Sequence, residues 1–156
     1  MHVNAIALPE QSDLHAYVGK GDFLDCYAVA SDMSARAAAE VITAFPGWAR
    51  GLLMVRRIVT APFGLSQDGP EADYKLGPFP VKLDTRTEVI AGFDDKHLNF
   101  RVSVYAESGR VSLATWVHPH NIGGRIYLAA ILPFHILVAR NALARVARAD
   151  PLTTPA

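Results

Sequence analysis

Two histidines separated by one residue, His118 and His120, form the most suggestive pair of reactive side chains in this sequence. On an extended segment, residues two apart project to the same face, so both imidazoles could be presented to one metal ion. The possible third ligands, none at a defined spacing, are His97, Asp95, Glu107 and His135. The alternative, which we favour, is a structural corner stiffened by Pro119, in which each ring bonds to nearby backbone. No metal is therefore predicted.

Arg101, Arg125 and Tyr127 could recognise the polar end of a ligand. Arg101 falls on the polar side of a predicted strand, where its guanidinium could hold a carboxylate. The favoured alternative is an ion pair with Glu88 or Asp84 across the outer surface of the sheet. Arg125 and Tyr127 lie on the first turns of a predicted terminal helix, where they could meet a ligand or cover the hinge.

His135 is the only histidine inside an apolar run of that helix. We expect it to bond to the carbonyl of Ala129 or Ile131, which Pro133 frees or loosens. The alternative role, general base, requires a perturbed pKa and a reacting proton within reach. Ile131 and Phe134 are predicted to supply apolar contacts to a ligand.

Signals for nucleophilic or cofactor chemistry are missing from the sequence. There is no G-x-S-x-G motif, and Cys26 has no marked basic neighbour. The G-x-G-x-x-G and P-loop patterns are also missing, so no cofactor is predicted. Asp22 and Asp25 are interpreted as a solvated strand edge rather than an acid/base dyad. The pair Gly123-Gly124 is interpreted as a point where the missing side chains let the helix lie close to the sheet.

The element that would position most of these residues is a helix from Asn121, its N-cap, to Ala149. Its first half is apolar nearly all round, so we expect a concave sheet to wrap it, with a kink at Pro133. Arg125 and Arg140 bracket an apolar run shorter than a bilayer requires, so no membrane insertion is predicted. The residues expected to be largely buried are Tyr127, Ala130, Ile131, Phe134 and Val138.

Strands are predicted at 21–30, 79–84, 88–93, 97–106 and 110–118. In the fourth, Leu98, Phe100, Val102 and Val104 alternate with Asn99, Arg101, Ser103 and Tyr105, which indicates one apolar and one polar face. Between the first and second strands, a helix capped by Ser31 or Asp32 runs to Phe45, and a second covers 48–59. The segment 61–78 contains either a strand near 74–76 or a flap.

Composition indicates one domain. At 156 residues, the chain can bury about 68 to 70% of its unfolded surface. Fifteen basic and fifteen acidic residues give no net charge, which argues against a nucleic-acid partner. A single cysteine and an N-terminus without signal-peptide regions predict a cytoplasmic protein. We treat 1–156 as one domain, with an N-terminal extension at 1–20 and a flexible tail at 150–156.

The order of elements resembles the helix-grip fold of the START-like superfamily, also called polyketide-cyclase-like or SRPBCC. Two strings, DDKHLNFRVSV at 94–104 and HPHNIGGRIYLAAILPFH at 118–135, are similar to a bacterial family of unknown function placed in that superfamily. The resemblance implies an α+β fold in which a curved antiparallel sheet grips the kinked terminal helix around an apolar cavity. It implies no catalytic residues.

Three functions are compatible with these features. The favoured one is binding of a small, largely apolar molecule between sheet and helix. The second is a cyclase, dehydratase or hydrolase type of enzyme with a histidine base and Arg101 or Tyr127 as orienting group. The third is an interaction module, homodimeric or docked on an oxidoreductase. The predicted ligand contacts are Arg101, His118, His120, Arg125, Tyr127, Ile131, Phe134 and His135.

Overall fold

The computed structural model describes residues 2–44, 47, 75–76, 79–94 and 96–150. The helices are α1 (Ala35–Thr43) and α2 (Ile122–Ala149), and a short 3-10 helix covers Asp13–Ala16. The strands are β1 (Asn4–Ala5), β2 (Phe23–Ala30), β3 (Lys75–Leu76), β4 (Phe79–Asp84), β5 (Glu88–Asp94), β6 (Leu98–Glu107) and β7 (Arg110–Pro119).

These strands form one sheet in the order β1-β2-β7-β6-β5-β4-β3, and every neighbouring pair is antiparallel. The predicted α+β class and helix-grip-like arrangement are confirmed, as are the five predicted strands. β3 lies in the segment predicted to hold a strand or a flap, whereas β1 was not predicted. The helix predicted at 48–59 and residues 61–74 lie outside the described residues.

The N-cap of α1 lies three residues after Ser31, the earlier of the two predicted caps. Ser34 is the N-cap, and its hydroxyl accepts a hydrogen bond from the Ala37 N–H. Ser31 instead donates its hydroxyl to the Asp150 carboxylate. Asp150 is buried and also accepts from the Asp32 N–H. The first residue of the predicted flexible tail therefore fastens the end of α2 to the start of α1.

Asn121 caps α2 as predicted, since its side-chain oxygen accepts from the Gly124 N–H. A Cβ at Gly124 would overlap the His97 carbonyl oxygen, so the predicted close approach of helix to sheet is confirmed. The helix continues through Pro133 to Ala149.

Burial along α2 differs from the prediction. The second half packs into the core beside α1, with Leu143 and Val146 fully buried. In the first half, Ala130 and Phe134 are exposed and Tyr127, Ile131 and Val138 are only half-buried. The prediction that all five are largely buried was wrong, because an all-round apolar sequence does not specify which side faces the sheet. By length and composition alone α2 could cross a membrane, and only 11% of its most apolar 18-residue window is buried. The buried residues of its second half belong to the domain core.

Residues 2–18 are here called the N-terminal segment: β1 forms the edge of the sheet, and the residues from Ile6 onward cover the sheet face opposite α2. Leu14 is fully buried and packs with Cys26, Ile90 and Trp116. The predicted polar face of β6 therefore lies inside the protein, and Arg101, Ser103 and Tyr105 are buried. We call the α2 side of the sheet the inner face and the covered side the outer face.

Candidate functional site

An aspartate and a histidine meet between the sheet and α2. Asp25 lies on β2, and its Oδ2 is 3.0 Å from Nε2 of His135 on α2. The His135 side chain is 22% exposed and the Asp25 side chain 17% exposed. The pair is therefore largely shielded from solvent but still reachable by it.

The neighbours of this pair are mostly apolar. Phe23 approaches the His135 ring edge-on, with centroids 6.2 Å apart. Strand register places Asp25 opposite Thr115 and Phe23 opposite Val117. One step further across the sheet, Phe100 packs edge-to-face on Phe93 at 4.8 Å and on Phe79 at 5.5 Å. The inner face thus places the Asp25 carboxylate near Phe23, with a cluster of three further phenylalanines two strands away.

The Asp25 carboxylate keeps one unused acceptor. Its Oδ1 is buried and has no hydrogen-bond partner in the described part of the chain, an arrangement that costs free energy in a folded protein. If His135 carries its proton on Nε2, it satisfies Oδ2 and its Nδ1 becomes a second acceptor. The pair can then accept hydrogen bonds from a donor group, or His135 can accept a proton.

α2 aligns part of the predicted ligand set with this pair. Tyr127, Ile131 and His135 are spaced four residues apart and share the half-buried side of the helix. Arg125 and Phe134 are exposed and lie away from that side. His135 bonds to Asp25 instead of the carbonyl of Ala129 or Ile131, so that expectation was wrong.

His118 and His120 occupy a separate corner near the beginning of α2. Nδ1 of His118 lies 2.6 Å from Oδ1 of Asp22, whose Oδ2 accepts from Trp116 Nε1 at 2.9 Å and from the Gly19 N–H at 2.8 Å. Burial alone would raise the pKa of the Asp22 carboxyl, but these hydrogen bonds, His118 first, hold it below its usual value.

The second histidine of the corner has its own carboxylate. Nε2 of His120 lies 2.6 Å from Oδ1 of Asp94, and the two imidazole centroids are 5.5 Å apart. Each ring therefore bonds to an aspartate rather than to backbone as predicted. No group of three or more histidine, cysteine or acidic side chains suited to a metal ion occurs in the ranges that the structure describes.

Arg101 lies on the outer face, on the opposite side of the sheet from His135. Its Nη1 donates to Oδ1 of Asn99 at 2.6 Å and to the Phe100 carbonyl at 2.7 Å, and the guanidinium stacks 5.4 Å from the Tyr17 ring. The expected ion pair with Glu88 or Asp84 was wrong. Glu88 instead accepts from both Ser12 and Ser103.

Two clefts lined by described residues border the N-terminal segment. The larger, about 530 Å³, is lined in part by Glu10, Tyr105 and Glu107. The Glu107 carboxylate accepts a hydrogen bond from the Tyr105 hydroxyl, and this bond, followed by burial, raises the pKa of Tyr105 to about 12. The smaller, about 330 Å³, reaches Asp25 and Cys26. Burial, followed by the charge of Asp25, raises the pKa of the Cys26 thiol to about 11, which disfavours a nucleophilic thiolate.

Comparison with known proteins assigns the chain to a family. A model described as "Protein of unknown function (DUF2867)" matches residues 17–142, which include both members of the Asp25–His135 pair. The chain belongs to this family. No curated protein and no solved structure gives a significant match.

The sequence interpretation missed both aspartates. Asp22 and Asp25 were taken as a solvated edge, yet each bonds to a histidine and Asp22 is nearly inaccessible. One signal was available for Asp25, because it shares one face of β2 with Phe23, Tyr27 and Val29. A carboxylate in an apolar register indicates a buried polar partner. Asp22 precedes β2 and offers no such pattern.

Proposed function

We propose that this protein binds a small, largely apolar molecule between α2 and the inner face of the sheet. The Asp25–His135 pair carries the proposal, because it places hydrogen-bonding groups beside apolar side chains while one carboxylate oxygen is left unused. Membership of the START-like superfamily, bacterial origin and a cytoplasmic location belong to the same proposal.

The chemistry of the pair narrows the ligand class. Asp25 offers an acceptor, and His135 offers a second when its proton is on Nε2. A ligand with a hydroxyl or amine donor at its polar end satisfies both, whereas a carboxylate ligand would face the negative charge of Asp25. Hydroxylated aromatic or polyketide-like molecules therefore fit better than fatty acids or aromatic acids.

A matched pair of probes tests the proposal by thermal shift. A ligand at one hundred times its Kd stabilises the native state by about 2.7 kcal/mol, which raises Tm by roughly 5 to 10 °C in a domain of this size. We expect 2-naphthol to raise Tm more than 2-naphthoate at pH 7. Asp25→Asn and His135→Phe should reduce the shift, whereas the surface control Arg148→Ala should keep it.

Equal shifts with both probes, or shifts unchanged in Asp25→Asn and His135→Phe, would contradict the assignment to this pair. If neither these probes nor a wider panel of hydroxylated aromatics changes Tm, the binding proposal fails.

Proton-transfer catalysis of the cyclase, dehydratase or hydrolase type is a second candidate. One observation favours it: a carboxylate orients the His135 imidazole, as in general-base dyads. His135→Ala should then lower turnover of a hydroxylated polyketide-like substrate by about 10² to 10⁴. Conversion that continues in this variant would exclude His135 as the base.

A further inference from the structure

An apolar stripe lies along the solvent side of α2, opposite His135. Its four large members are Ile122, 74% exposed, Ile126, 65%, Phe134, 52%, and Leu137, 55%. The small exposed residues Ala129, Ala130 and Pro133 lie between them. We call these seven residues the α2 stripe.

The area of the α2 stripe is that of the largest apolar patch on a typical monomer, which is often a functional surface. Its four large side chains expose on the order of 500 Å², where the largest apolar patch of a typical monomer is roughly 300–600 Å². Two copies joined through the stripe would bury roughly 1,200 Å² in total once the small residues are counted, which is the lower end for specific interfaces.

The spacing of the stripe is self-complementary. Ile126, Ala130, Pro133 and Leu137 follow the alternating steps of four and three residues that form the seam of paired helices. In an antiparallel pair with its two-fold axis between Ala130 and Pro133, Ile126 meets the partner's Leu137. Phe134 then meets the partner's Ala129, so a large side chain faces a small one.

Charge favours a protein partner over a lipid surface. Helices that lie on membranes carry basic residues on their polar side, but the opposite side of α2 packs against this protein. Arg140 is turned back, with Nη2 donating to the Val3 carbonyl at 3.0 Å and its guanidinium 5.6 Å from the Tyr27 ring. The chain also has no net charge that would attract anionic lipid.

We propose that the α2 stripe joins two copies of this chain in an antiparallel helix pair. Because the interface is small, the dimer is concentration-dependent. Sedimentation of the full chain from 5 to 500 µM should show a rise from monomer to dimer. Ile126→Lys and Phe134→Lys should each raise the dissociation constant at least tenfold, while Ala149→Lys, exposed on the same helix but outside the stripe, should leave it unchanged.

Cysteine crosslinking tests the orientation. At 1.5 Å per residue, the two copies of position 130 lie roughly 5 Å apart along the axis and those of position 122 roughly 28 Å apart. Ala130→Cys should therefore form a disulfide dimer on oxidation, and Ile122→Cys should not. Circular dichroism melts establish that each variant is folded.

Three outcomes would overturn the proposal: a monomer up to 500 µM, equal crosslinking at positions 122 and 130, or a dimer that survives both lysine substitutions. A monomer that cosediments with phosphatidylcholine vesicles would identify lipid as the occupant instead.

Discussion

Replacing the Asp25–His135 pair by apolar residues tests whether the pair contributes to stability. If the replacement is as stable as the natural chain, stability does not explain the presence of the pair. His135→Leu removes the only described partner of a largely buried carboxylate. Breaking a fully buried ion pair costs about 3–5 kcal/mol. Because both side chains retain some solvent contact, we expect a loss of about 2–3 kcal/mol in the free energy of unfolding.

Asp25→Leu should cost less, about 1–2 kcal/mol, because it also removes the unpartnered Oδ1. The double variant removes both polar groups, and apolar replacements of buried pairs are often neutral or stabilising. We therefore expect the double variant to be more stable than His135→Leu. Its free energy of unfolding should lie within about 1 kcal/mol of that of the natural chain.

Urea denaturation of the four proteins in a double-mutant cycle measures these differences, with Tm as a second readout at about 2–4 °C per kcal/mol. If the loss in the double variant equals the sum of the two single losses, the side chains act independently. The reasoning that they form one coupled pair would then be wrong.

Three further predictions concern the parts that hold the site in place. Hydrogen bonds from His118, Gly19 and Trp116 hold the pKa of the Asp22 carboxyl below its ordinary value of 3.8, so its contribution to stability is present above that pH and is lost as the pH falls through the lower folded-state pKa. On acid titration, the free energy of unfolding should therefore fall less in Asp22→Asn than in the control Glu10→Gln. Gly124→Ala should lower Tm and loosen the start of α2, measured by amide exchange, because its Cβ would overlap the His97 carbonyl; unchanged exchange would contradict this. Leu143→Ala should cost about 2–5 kcal/mol in chemical denaturation, because the side chain is fully buried in the core, and a loss below 1 kcal/mol would show that the core closes around the gap.

Much of the fold follows from local patterns. Alternation along β6 and the cap at Asn121 were readable from neighbouring residues, because each depends on interactions within a few positions of the chain. The Gly123-Gly124 pair indicated a close approach, but only the structure shows that the His97 carbonyl lies against Gly124. The apolar length of α2 likewise established a long terminal helix before any packing was known.

Packing between distant segments decided the rest. Asp25 and His135 are 110 positions apart, and Ser12 and Glu88 are 76 apart, so no local pattern could pair them. The same holds for the N-terminal segment, whose Leu14 is buried only because the outer face of the sheet lies beneath it. Sequence determined the long terminal helix, the five longer strands and which residues are apolar. Tertiary structure alone determined which side of α2 faces the sheet, because that choice depends on the combined packing of α1, the sheet and Gly124.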